Sequence, residues 1–317
     1  MSQILRRLLA RLRSWLLRPL SGRVQVVTYQ TRSGARQYKV YRRWRARGPQ
    51  PLVVMLHGCN QTADQFATAT RMNQLADRMG FIVAYPEQSA AAHPSRCWNW
   101  FDAAHQERDE GEPALIAGIT REVSSRYDAD PRRVYVAGLS AGGAMAAIMG
   151  HTYPDLYAAV GIHSGLPYAA ARDAMSALAA MRGLRGTLDP RYRPTHFRAI
   201  PTIVFHGDLD TTVHARNSMQ AIVQASPAPD IRGTEQVEKG EENGRRYTRT
   251  VHADASGRIA VEHWLVHGCG HAWSGGSSGG PFVDPRGPDA SRAMLKFFLG
   301  FTRSTSPPEA FASAARA

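Results

Sequence analysis

Ser140 lies in the run Gly138-Leu139-Ser140-Ala141-Gly142-Gly143, between a strand-like segment, Arg133 to Ala137, and a small-residue helical segment, Ala141 to Met149. A G-x-S-x-G sequence at a strand-to-helix turn is the context of a nucleophile elbow: glycines on both sides remove the Cβ atoms that would clash, and the hydroxyl projects above a sheet edge. Outside that context the run would be a plain Gly-rich turn, which a chain with 28 Gly can produce by chance. A serine hydroxyl attacks poorly at neutral pH, so it needs a general base, and the base needs a carboxylate to orient it.

The acid is expected after Ser140 and the base last in the chain. The strand-like segment Thr202 to His206 runs into Gly207-Asp208-Leu209-Asp210, which offers two carboxylates at a strand end. Asp210 is the expected acid, with Asp208 shaping the turn. Of 12 histidines, His271 follows the last strand-like segment, Ala260 to Val266, within Gly268-Cys269-Gly270-His271-Ala272-Trp273, where small neighbours let a loop carry the imidazole over the serine. His263, His267 and His271 are spaced by four, as metal ligands on a helix would be. Their flanks read as a strand and a Gly-rich loop with no nearby thiolate or carboxylate set, so no metal site is expected.

Attack on an ester would leave an oxyanion needing two backbone N–H donors. Ala141, directly after the serine, supplies the first. The second is expected from Cys59 in His57-Gly58-Cys59-Asn60-Gln61, which follows the apolar run Pro51 to Leu56, so Cys59 is read as a backbone donor and not as a nucleophile.

These side chains need a scaffold that brings strand ends together. A hairpin is expected over Val24 to Tyr29 and Gln37 to Arg42, followed by strands at Pro51 to Leu56, Phe81 to Tyr85, Arg133 to Ala137, Ala158 to Ile162, Thr202 to His206 and Ala260 to Val266. Helices are expected over Thr70 to Met79, Pro113 to Tyr127, Ala141 to Met149, His214 to Gln224 and Ser291 to Leu299. Apolar strands alternating with helices imply an α/β fold with a mainly parallel, doubly wound sheet, whose ligands bind at the carboxyl ends of the strands.

The chain has 317 residues, 43% hydrophobic and 21% charged, which excludes wholesale disorder and fits a catalytic domain over residues 23–302. No run reaches the roughly 18 apolar residues of a spanning helix. The net charge of +13 arises in the first 50 residues, which hold 13 Lys/Arg and no acid. The rest is balanced, which argues against nucleic acid as partner.

Within residues 1–22, Ile4, Leu5, Leu8, Leu9, Leu12, Trp15, Leu16 and Leu20 share one helical face, opposite Arg6, Arg7, Arg11, Arg13 and Arg18. This amphipathic helix is expected either to lie on a membrane or granule surface through residues 1–20, or to pack on its own domain or a dimer interface. Arg interrupts each apolar run, unlike a cleavable signal peptide. Residues 303–317 read as a flexible tail.

The segments Leu56-HGCNQTADQFA, Gly80-FIVAYPEQ, Cys97-WNWF, Gly111-EPALIAGI, Arg132-RVYVAGLSAGGAMA, His163-SGLPY, His206-GDLDTTV and Gly270-HAWSGG together resemble the poly(3-hydroxybutyrate) depolymerase family of α/β-hydrolases, related to feruloyl and acetylxylan esterases. The resemblance implies a triad of Ser140, Asp210 and His271, an oxyanion hole at Cys59 and Ala141, hydrolysis of short-chain esters through an acyl-enzyme, and no metal or organic cofactor. It also suggests a disulfide between Cys59 and Cys97, which a reducing cytoplasm would leave open.

Trp98, Trp100 and Trp273 flank the expected site, either as an apolar wall for substrate or as ordinary core aromatics. The resemblance implies an extracellular protein, while the form of the arm keeps a cytoplasmic or membrane-peripheral location open. The sequence carries no Thr/Ser-rich linker or separate polymer-adsorbing domain, so soluble hydroxybutyrate oligomers or small esters are expected as substrates. A feruloyl or acetylxylan esterase is the alternative within enzymes, and a non-catalytic membrane-associated binding protein on the same fold the alternative outside them.

Overall fold

The computed structural model describes residues 22–31, 34–43, 48–184, 199–226, 234–254 and 257–303. The expected N-terminal amphipathic helix and the C-terminal tail fall outside these residues.

The strands are β1 Arg23–Thr31, β2 Gly34–Arg42, β3 Gln50–Leu56, β4 Ile82–Glu87, β5 Ala129–Leu139, β6 Ala159–His163, β7 Thr202–Gly207, β8 Glu235–Glu242, β9 Arg245–Ala253, β10 Ile259–Val266, β11 Trp273–Ser274 and β12 Val283–Asp284. The helices are α1 Ala63–Thr70, α2 Met72–Met79, α3 Gly111–Arg126, α4 Ala141–Thr152, α5 Ala174–Met181, α6 Arg216–Ala225 and α7 Ala290–Leu299.

Ten strands form one sheet in the order β1-β2-β4-β3-β5-β6-β7-β10-β9-β8. The six central strands, β4 to β10 in that order, pair in parallel. Antiparallel hairpins flank them, β1–β2 at one edge and β9–β8 at the other.

Strand side chains alternate between faces, and both faces are buried here. From β3, Leu52, Val54 and Leu56 pack into one apolar cluster with residues of α3, α4 and α6, while Val53 and Met55 enter a second cluster with α1, α2 and α7. Helices on both faces leave the strand ends as the open rim. Each parallel strand delivers its carboxyl end to the same rim, which is why segments distant in sequence can meet there.

Three departures from the expected elements have physical causes. The helix expected at Thr70 to Met79 is α2, which begins at Met72 after a break at Arg71 (φ 54°), and a further helix not among the expected elements, α1, precedes it. Thr62 and Gln65 form a capping box that starts α1 earlier, and Ser291 Oγ donates to the Thr70 carbonyl at 2.6 Å, so a tertiary contact takes up a carbonyl at the break.

The hairpin β8–β9 was not foreseen because its strands are largely polar and lack apolar alternation. Its turn carries a strong local signal, Asn243-Gly244, with both residues at positive φ (48° and 77°). Helix α5 was also not foreseen; Asp173 and Ser176 cap it reciprocally.

Candidate active site

Ser140 follows β5 directly and precedes the first residue of α4, with φ 57° and ψ −120°. A positive φ is unfavourable for a residue with a Cβ, and strain of this kind concentrates at functional sites. The elbow is held on both sides: the Ser140 amide donates to the His163 carbonyl at 2.9 Å, and the Ser140 carbonyl accepts from the Ala144 amide at 2.9 Å. A Cβ on Gly138 would collide with the Gly142 carbonyl, and one on Gly142 with the Leu56 carbonyl. Only glycine at these two positions lets the turn close against itself and against the end of β3.

The loop after β3 lies beside this turn, since a methyl group placed on Gly58 would come within 3.5 Å of the Ser140 Cβ. The loop is rigidly fastened. Gly58 donates its amide to Gln61 Oε1 at 2.9 Å, Asn60 donates its amide to the Ser95 carbonyl at 2.7 Å, and Cys59 is disulfide-bonded to Cys97. His57, fully buried, accepts the Gln88 amide on Nε2 (3.0 Å) and donates from Nδ1 to the Gly58 carbonyl (2.7 Å). Burial pushes its pKa down, which keeps it neutral in this role. Beyond the disulfide, buried Glu112 accepts from the Asn99 amide (2.7 Å) and from its side chain (2.8 Å), anchoring the Cys97–Phe101 loop.

Cys59 and Ala141 therefore stand on two segments that flank Ser140. Ala141 opens α4, where unpaired N–H groups and the helix dipole favour negative charge.

Asp210 lies in the loop after β7, its side chain buried. Oδ1 accepts the amides of Thr212 (2.9 Å) and Val213 (2.8 Å), and Oδ2 accepts His271 Nδ1 at 2.7 Å. Burial by itself would raise the Asp210 carboxyl, but hydrogen bonds from His206 and His271 hold it below the usual carboxylate range. With Asp210 ionised, the proton of neutral His271 stays on Nδ1 and the Nε2 lone pair is left bare, the form a general base requires.

Asp208 takes a different partner: it accepts His267 Nδ1 at 2.8 Å and the Gly268 amide at 2.7 Å, tying down the base of the histidine loop. His263, His267 and His271 go to separate partners, Ser218 Oγ (3.1 Å), Asp208 with Thr248 Oγ1 (2.9 Å), and Asp210.

Two histidines at strand ends join these loops, and neither was assigned a role from sequence. His163 accepts the Ser140 amide on its carbonyl and the Ser274 amide on Nε2 (3.0 Å), and its ring stacks on Trp273 at 4.8 Å. It thereby links the serine turn to the segment carrying His271. Burial, with lesser contributions from His206 and His271, pushes its pKa down to about 3. His206, also buried, donates from Nε2 to the Val213 carbonyl at 2.7 Å and lies 3.3 Å from Asp210 Oδ2. The only sequence signal for either was a histidine ending an apolar strand.

The three tryptophans belong to the core, which corrects the reading of an exposed wall. Trp98 and Trp273 are fully buried and Trp100 is 6% exposed. Trp98 donates to the His57 carbonyl at 3.1 Å and Trp273 to Ser291 Oγ at 3.0 Å. The indoles of Trp98 and Trp273 support the loops from behind, because the polar edge of each of these two rings finds its partner inside the protein.

The esterase PHB depolymerase family profile matches residues 38–230. The chain is 30% identical to poly(3-hydroxyalkanoate) depolymerase C of Paucimonas lemoignei over 237 residues, 70% of this chain and 54% of that protein, so it spans about half the relative's length. It is 30% identical to feruloyl esterase B of Neurospora crassa over 261 residues, 78% of this chain and 82% of that protein. Among solved structures, an acetyl xylan esterase from Aspergillus awamori superposes with a TM-score of 0.68 at 19% identity, covering 88% of this chain and all (100%) of the other. A poly(3-hydroxybutyrate) depolymerase from Bordetella parapertussis gives 0.54 at 17% identity, covering 93% and 95%. At these identities the structural likeness speaks for the fold alone, which is that of the α/β-hydrolases.

Proposed function

The chain belongs to the esterase PHB depolymerase family, and from that premise we propose that it is a serine esterase hydrolysing short-chain carboxylic esters through an acyl-enzyme. Ser140 attacks the ester carbonyl. His271 takes the serine proton on Nε2 and returns it to the leaving alcohol, while Asp210 orients the ring and stabilises the imidazolium. The amides of Cys59 and Ala141 receive the oxyanion, and water then releases the acyl group by the same proton transfers in reverse. The observation that carries this reading is the 2.7 Å contact between His271 Nδ1 and the buried Asp210 carboxylate, on a loop that His163 couples to the Ser140 turn.

Poly- or oligo(3-hydroxybutyrate)-type esters are the proposed substrates. The feruloyl esterase reading rests on feruloyl esterase B of Neurospora crassa, of which this chain covers 82%. Turnover of hydroxybutyrate oligomers, feruloyl esters and acetylated xylan, measured side by side, separates the two. A fluorophosphonate probe tests the chemistry itself. Labelling abolished by Ser140→Ala is expected, and no labelling of the folded native protein would return the chain to a non-catalytic binding role.

The Cys59–Cys97 disulfide supports an oxidising, extracellular location. For the N-terminal arm we propose adsorption to granules or anionic membranes. Equal binding of the full chain and a chain starting near Ser21 to granules and vesicles would remove that role.

A further inference from the structure

We propose that Phe282 is a specificity-determining residue that forms the wall of the leaving-group side of the site, favouring esters of apolar or aromatic alcohols; this rests on the serine esterase reading above. Phe282 is bracketed by both halves of the proposed machinery. On one side the preceding carbonyl, Pro281, accepts from Gln61 Nε2 at 3.1 Å, and the same Gln61 side chain holds the Gly58 amide of the loop beside Ser140. On the other side the Phe282 carbonyl accepts the Trp273 amide at 2.8 Å, two residues beyond His271.

The backbone of Phe282 lies at φ 55°, in the left-handed region that a bulky side chain rarely adopts. Such a conformation persists only where its surroundings over-determine it. Here they do: β12 pairs with β11 immediately afterwards, and Asp284 is locked to Arg245 at 2.6 Å. Yet the strained residue does not bury its ring, for Phe282 remains 42% exposed. A large apolar side chain on a backbone fastened between the nucleophile's loop and the base's loop, with surface left uncovered, is suited to cover part of a ligand. His271 must protonate the departing alcohol, so a residue whose backbone carbonyl is hydrogen-bonded to the histidine segment is placed to border the leaving group and not the acyl chain.

The test measures kcat/KM for wild type, Phe282→Ala and Phe282→Leu on acetate esters of increasing leaving-group size (methyl, phenyl, 2-naphthyl), and on p-nitrophenyl esters from acetyl to hexanoyl. Phe282→Ala is expected to lose about tenfold more on 2-naphthyl than on methyl acetate, from the apolar contact removed, with Leu recovering part of it. Its loss factor should stay constant along the acyl series. A loss equal for methyl and naphthyl esters, or one that grows with acyl length, overturns the proposal. Thermal unfolding identifies any variant that fails to fold, and Phe282→Leu then carries the comparison. Ser140→Ala assayed in parallel keeps the two readings apart: if it is inactive while the leaving-group ratio does not move, only the role of Phe282 falls.

Discussion

Replacing Asp210 by Asn exchanges one oxygen for an NH2 group, and the surrounding donors dictate where that group must go. Oδ1 is held by two backbone amides, from Thr212 at 2.9 Å and Val213 at 2.8 Å, which only an oxygen can accept. The NH2 is therefore forced into the Oδ2 position, facing His271 Nδ1. A donor there requires Nδ1 to accept, which moves the imidazole proton to Nε2 and leaves no lone pair for the Ser140 proton. The second neighbour makes matters worse, because His206 Nε2 already donates to Val213 and stands 3.3 Å from Oδ2.

A base in the wrong tautomer costs about 10³ to 10⁴ in kcat, or about 4–5.5 kcal/mol of transition-state stabilisation, with KM nearly unchanged. Steady-state hydrolysis of p-nitrophenyl acetate, normalised to folded protein, reads this directly. Asp208→Asn serves as the contrast and should lose less than about tenfold, since Asp208 holds His267 and Gly268 and not the base. An Asp210→Asn enzyme within about tenfold of wild type, or an Asp208→Asn enzyme equally crippled, would refute the assignment of the acid.

Stability should fall on acidification below about pH 6.5. Burial, with smaller effects of neighbouring histidines, pushes His163 to about 3 and His263 to about 4, both from 6.5, so between those values and 6.5 the unfolded chain binds protons that the folded one refuses. Each contributes a slope of up to about 1.4 kcal/mol per pH unit, with its full stabilisation present above 6.5. Urea unfolding from pH 7 to pH 5 should show a shallower slope for His263→Gln than for wild type, and identical slopes would contradict the argument. Removing the disulfide with Cys97→Ser opens a link between residues separated by 38 positions. Loop-closure entropy puts the cost at about 4 kcal/mol, a fall in the thermal midpoint on the order of 10 °C, with slower fluorophosphonate labelling as the Cys59 loop loosens. A midpoint unchanged within about 2 °C would reject it.

Much of the scaffold could be read from local pattern, because burying both faces of a parallel sheet demands apolar strands, and glycines are needed where a turn must close without Cβ atoms. The strand cores and the Ser140 turn follow from those constraints alone, while the order of the chemistry-bearing residues comes from the G-x-S-x-G motif and the family resemblance. Polar edge strands impose no such pattern, so the β8–β9 hairpin left only Asn243-Gly244 as a trace. Partner choice is a different matter. Asp208 and Asp210 are chemically identical and two residues apart, so residue type does not say which one faces His271, and the expectation of Asp210 rests on its place in the His206-Gly207-Asp208-Leu209-Asp210 run and on the family resemblance. The fold decides it by the turn after β7, where Asp210 is drawn inward by two amides and Asp208 is left to His267. The tryptophans, equally suited by type to a wall or a core, are sent inward because buried acceptors satisfy the N–H groups of Trp98 and Trp273, while an unremarkable Phe282 is left uncovered at the rim. Residue type and spacing set what each segment can do, but hydrogen-bond partners and burial depend on segments brought together from tens of residues apart, and those only the tertiary structure supplies.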